Sequence, residues 1–150
     1  MVGPKAVSEP AAIFQHLHRI AFHEVDAGGR LFGGRIFELF VTAYHAFLCS
    51  RGFDLRELDK LSVRLPLVHI EADFVAAMPF ATELLVELID IKLGTSSLTL
   101  SFRAVSAAHP EKIHCTGKTV HVFVDRDDNE KRTPPDDIAR LFAGTGRIAG

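Results

Sequence analysis

Apolar residues crowd one stretch of this chain and alternate with polar ones in several others. From Gly33 to about Arg51 nearly every position is apolar, with Ile36, Phe37, Leu39, Phe40, Val41, Ala43, Tyr44, Ala46, Phe47 and Leu48 in close succession. A helix apolar on most sides is a buried one, so the pattern predicts a long helix wrapped by other structure. Gly52 suits its C-terminal end, where a left-handed conformation costs glycine little. His16 to His23 alternates roughly and reads as a first strand, after a tail or short packing arm over residues 1–15. Phe53 to Leu61 reads as a short helical connection. Four strands are then predicted, at Leu65–Phe74, Glu83–Leu93, Ser97–Ser106 and His114–Asp125, each rich in Val, Ile, Leu, Thr or Phe. Alternation is cleanest in Leu98-Thr99-Leu100-Ser101-Phe102-Arg103, which gives that strand one buried and one wetter face. Gly94-Thr95 marks a tight hairpin, and Pro134-Pro135-Asp136-Asp137 opens a last short helix ahead of a glycine-rich tail over 143–150. The order predicts an α+β domain in which a curved antiparallel sheet encloses one helix. One such sheet leaves an outer face to cover, which argues for association with a second copy.

Composition narrows the classes. The chain has 150 residues, 47% hydrophobic and 24% charged, which is enough for one globular domain and too short for two ordinary ones. A net charge of −2 leaves no electrostatic footprint for nucleic acid. No apolar run approaches the length of a membrane span, and Met1 to Pro10 has no signal-peptide core. Cys49 and Cys115 form no CxxC or Cys/His pattern, so no structural zinc is expected and a reducing cytoplasm fits best. His16, His18 and His23 share a stretch, but no carboxylate stands at a matching offset; no metal site is expected. His45, His69, His114 and His121 are dispersed and read as packing or strand residues.

Candidate chemistry concentrates before the long helix, in His23-Glu24-Val25-Asp26-Ala27-Gly28-Gly29-Arg30-Leu31-Phe32-Gly33-Gly34. Gly33 and Gly34 offer no side-chain cap, so the first backbone N–H groups are open to a ligand. A helix N-terminus with open donors favours a phosphate or the oxyanion of a reacting carbonyl. Asp26 just upstream adds a base or nucleophile. An aspartate before Gly-Gly is also an ordinary turn former. Glu38, in the helix itself, is the second-choice carboxylate. Ser96 and Ser97 lack a GxSxG elbow and fit turn chemistry better than a nucleophile's role.

The Asp26-Ala27-Gly28-Gly29 turn followed by Leu31-Phe32, the strand Leu65 to Phe74, the hairpin Leu93-Gly94-Thr95-Ser96-Ser97, and Gly117 to Asp125 ahead of Pro134-Pro135-Asp136 resemble the 4-hydroxybenzoyl-CoA thioesterase branch of the hotdog superfamily. The likeness covers about residues 16–142. It implies a five-stranded antiparallel sheet curled round the central helix, and acyl-CoA thioesterase activity with coenzyme A as part of the substrate and no further cofactor. It implies homodimers with shared active sites, assembled as dimers of dimers. By the same resemblance Asp26 is the catalytic carboxylate, and Gly33, with Gly34 beside it, supplies the backbone oxyanion donor. Phe32 and Ser97 fall near the substrate. Many members carry His or Tyr where this chain has Gly33, which opens room beside the carboxylate. An aromatic acyl group such as 4-hydroxybenzoyl and an aliphatic one both fit this pattern. A hydratase or dehydratase on hydroxyacyl thioesters and a non-catalytic acyl-CoA-binding protein are the rival readings.

Overall fold

The computed structural model describes residues 10–143; of the tails expected at 1–15 and 143–150, residues 1–9 and 144–150 lie outside the described residues. The backbone forms β1 (Phe14–Arg19), a short 3₁₀ turn (Phe22–Glu24), α1 (Arg35–Ser50), α2 (Leu55–Asp59), β2 (Val63–Arg64), β3 (Leu67–Phe74), β4 (Glu83–Leu93), β5 (Ser97–Ser106), β6 (Ile113–Val122), β7 (Val124–Asp125) and α3 (Asp136–Ala143). Strands β1-β4-β5-β6-β3 make one antiparallel sheet in that order, and β2 pairs with β7 in a small second one. The five-stranded sheet around a central helix is the expected hotdog arrangement.

The buried residues of α1 are Ile36, Leu39, Phe40, Ala43, Phe47 and Leu48, spaced to give one stripe. That stripe meets Leu84, Val86 and Leu88 on β4 and Leu98, Leu100, Phe102 and Ala104 on β5, all essentially inaccessible to solvent. A bulge between Leu88 and Asp90 changes the phase of β4, so that Ile91 also reaches the core. Phe40 stacks on Phe102 with ring centroids 4.9 Å apart and planes at 12°. Glycine at 117 is what lets Phe40 lie so close: a Cβ there would collide with the Phe40 ring and the Glu71 carbonyl oxygen.

Several boundaries differ from the sequence reading. The first strand begins at Phe14 and stops at Arg19, because Phe22–Glu24 turns instead of continuing. Residues 10–15 take the packing-arm alternative: Ile13 N–H bonds Leu88 O at 2.8 Å and Pro10 O accepts from the Arg103 guanidinium at 3.1 Å. Ala143 belongs to α3. The strand expected over His114–Asp125 is interrupted at Phe123, after which β7 turns away to β2. Asp54 caps α2, its carboxylate accepting from the N–H groups of Arg56 and Glu57. Opposite its buried stripe, α1 presents half-buried Phe37, Tyr44 and His45 and exposed Val41, so the helix is not enclosed on every side.

Candidate active site

The segment between β1 and α1 is held at its neck by backbone bonds. Phe32 N–H donates to Glu24 O at 2.9 Å, and Val25 bridges Leu31. Glu24 anchors this neck from inside the protein. It is 6% exposed, and its Oε2 accepts from Ala21 N–H at 2.8 Å and meets His18 Nε2 at 2.9 Å. Burial alone would raise its pKa; the Ala21 N–H and the His18 imidazole outweigh that and hold the carboxyl below its usual value.

Within the neck Asp26 N–H bonds Arg30 O at 2.8 Å, and Gly29 N–H bonds Asp26 O at 3.0 Å. Gly29 sits at φ +75°, a conformation that glycine adopts without strain. Asp26 is exposed, and its Oδ1 accepts from Gly28 N–H at 2.8 Å and Arg30 N–H at 3.3 Å. Its Oδ2 has no hydrogen bond among the described residues. The aspartate is thus a turn former through one oxygen, which leaves the other available to a ligand.

The helix start offers the donors. Arg35 N–H bonds Phe32 O and Ile36 N–H bonds Gly33 O, whereas the N–H groups of Gly33 and Gly34 make no hydrogen bond among the described residues. Two clefts open at Asp26. One, of about 290 Å³, is walled by Asp26, Arg30, Leu31 and the stretch Phe74-Val75-Ala76-Ala77-Met78. The other, of about 620 Å³, is lined by Phe22, Val25, Asp26, Ala27, Gly29 and Phe80, with Phe22 and Phe80 edge-to-face at 6.1 Å. Phe74 ties the first cleft to the helix start, since a Cβ at Gly33 would lie 3.6 Å from its ring. Phe32, 58% exposed, stands against Gly34 in the same way, at 3.1 Å.

His114 fixes the wall of that cleft: its Nδ1 donates to Ala77 O at 2.8 Å, and its carbonyl accepts from Val75 and Ala76 N–H. Neither this support nor the His18–Glu24 contact has a period or motif in the sequence; each joins segments that only folding brings together.

The other candidates lie elsewhere. Glu38 is exposed, pairs with Arg35 at 3.0 Å, and lines a separate cleft with Phe37, Val41, Thr42, Leu67 and Ile70. Ser97 begins β5 opposite Val122, near the Leu67 end of the sheet, whereas the Asp26 clefts adjoin the Phe74 end. His121 is buried between Leu65 O and Thr119, and burial lowers its pKa. The Cys115 thiol is pushed up to about 12 by burial, with Asp73 adding to the shift, which makes it a poor nucleophile. Cys49 is exposed, with His45 at 3.7 Å. No group of three or more potential metal-binding side chains occurs among the described residues. No helix among them is long and apolar enough to cross a membrane.

A five-stranded antiparallel sheet curled on one long helix defines the hotdog fold. The family profile of the thioesterase-like superfamily matches residues 20–142, and the chain belongs to that superfamily. It is 26% identical over 137 residues to a 1,4-dihydroxy-2-naphthoyl-CoA hydrolase of Nostoc punctiforme, covering 91% of this chain and 90% of the relative. A second protein of that name, from Synechococcus elongatus, is 26% identical over 127 residues, covering 83% and 91% of the two chains. Among solved structures, a 1,4-dihydroxy-2-naphthoyl-CoA thioesterase from Synechocystis superposes with a TM-score of 0.79 at 20% identity, covering 87% of this chain and 95% of that one. A gentisyl-coenzyme A thioesterase superposes with a TM-score of 0.73 at 22% identity, covering 85% and 98%. At these identities the structural likeness is one of fold.

Proposed function

We propose that this chain hydrolyses an aryl-CoA thioester to the free acid and coenzyme A, with Asp26 as the catalytic carboxylate. One observation carries the reading: Asp26 Oδ2 is unengaged at a cleft walled by Phe74, whose ring stands close enough to Gly33, at the open start of α1, that a Cβ there would lie 3.6 Å from it. In this account the thioester carbonyl oxygen lies at the Gly33 and Gly34 N–H groups. Asp26 then takes a proton from water as the water adds to the carbonyl carbon, or its carboxylate adds directly to give, once the thiolate has left, an acyl–aspartyl anhydride that water hydrolyses to the free acid. The tetrahedral oxyanion is held by the helix N-terminus until the C–S bond breaks and the coenzyme A thiolate leaves. Relatives named for dihydroxynaphthoyl-CoA support an aryl acyl group over an aliphatic one.

The active unit in this reading is a homodimer. Strand β3 ends the sheet, and Leu67, Val68 and Phe74 on it are exposed, as is Val41 on the neighbouring open face of α1. An exposed apolar edge of this kind is suited to pairing with a second copy. The test is thiol release from a panel of aryl- and alkyl-CoA esters by wild type and Asp26→Asn. The account expects aryl turnover that falls at least about a hundredfold in the variant. Undiminished turnover would remove Asp26 from the mechanism.

A further inference from the structure

Phe74 closes the exposed edge strand at a position that the core does not explain. It is an aromatic ring, 54% exposed, at the end of β3, where the cleft of Asp26 meets the start of α1. Among the described residues it makes no ring contact with another aromatic side chain, unlike Phe22 with Phe80 or Phe40 with Phe102. The core has no claim on it, and leaving so large an apolar surface in water is unfavourable. Beside it is Gly33, which has no side chain to cover it; a Cβ there would lie 3.6 Å from the Phe74 ring. Phe32 stands in the same relation to Gly34. Two exposed rings therefore border the two glycines whose N–H groups are open.

We propose that Phe74, with Phe32 beside it, selects the acyl group: a flat aryl ring lies against Phe74 while its thioester carbonyl meets the Gly33 and Gly34 N–H groups. This rests on the thioesterase reading above and adds the residue that reads the substrate class. Planar rings gain from stacking on an aromatic face, whereas a saturated ring of the same size gains only apolar contact. The glycine at 33 belongs to the same device, because a bulky side chain there would take the space between the Phe74 ring and the carbonyl.

The test compares kcat/KM for benzoyl-CoA and cyclohexanecarbonyl-CoA, two esters of similar size that differ in planarity. Wild type, Phe74→Leu, Phe74→Tyr and Asp26→Asn are measured with both. Phe74→Leu keeps an apolar side chain at an exposed position, so the fold survives it, and Phe74→Tyr keeps the ring. The expected result is a wild-type preference for benzoyl that Phe74→Tyr retains and Phe74→Leu reduces roughly three- to tenfold. A ratio in Phe74→Leu equal to that of wild type overturns the proposal, as does an equal loss on both esters. Asp26→Asn separates the two readings. If it retains turnover, the catalytic assignment falls while the ester ratio still decides the role of Phe74. If wild type hydrolyses neither ester, both fall.

Discussion

Glu24 and Asp26 lie two residues apart in the same loop, and their surroundings give them opposite tasks. Glu24 is buried and fully engaged at Oε2, so it holds the loop; Asp26 is exposed and engaged through Oδ1 alone. Because the folded protein keeps the Glu24 carboxyl below the ordinary value of 4.5, its contribution to stability is complete above that pH. The contribution is lost as pH falls through 4.5 toward the lower folded value. Glu24→Gln is expected to cost about 1–3 kcal/mol at neutral pH and to flatten this part of the acid limb. Denaturant titrations of both proteins across pH 3–7 check it, and parallel acid limbs would contradict it. His121 acts in the same sense at higher pH: its depressed folded pKa means stability begins to fall as pH drops below its ordinary 6.5.

The elements were largely legible in the sequence, for definite reasons. Leu98, Leu100 and Phe102 alternate with polar residues along a strand with one face on the core, and the apolar run from Ile36 to Leu48 matches the buried stripe of α1. The first strand was misplaced because Phe22 reads as apolar strand material, yet it is 80% exposed on a turn beside Asp26. The break at Phe123 was hidden because that residue is buried like its strand neighbours while the backbone changes sheets around it. The loop before α1 showed in the sequence as a carboxylate ahead of an uncapped helix. What did not show were Phe74, Phe80 and His114, which reach the site from other segments through tertiary contacts alone. Gly117 is another residue whose reason appears only in the fold. Gly117→Ala would force a methyl group into Phe40 and the β3 backbone, at an expected cost of about 3 kcal/mol. Thermal unfolding of the variant measures this, and an unchanged Tm would mean that Phe40 and β3 yield without cost.

At the scale of the whole molecule, the sheet covers one side of α1 and leaves the other beside the edge strand β3. A cleft of about 450 Å³ between Phe37, Glu38, Val41, Thr42, Leu67 and Ile70 marks that open side. If a second copy completes it, Val68→Lys at the exposed edge should yield monomers and lower turnover together. Sedimentation velocity beside the thiol assay checks both, and a fully active monomer would contradict the dimeric site. The same cleft holds Glu38, the rival carboxylate, which separates the two chemistries in space. The most direct measurement is therefore kcat/KM for one aryl-CoA ester in wild type, Asp26→Asn and Glu38→Gln. The account predicts collapse in Asp26→Asn, with Glu38→Gln remaining far closer to wild type. Collapse in Glu38→Gln with Asp26→Asn still active would transfer the reaction to the helix carboxylate and contradict the account at its centre.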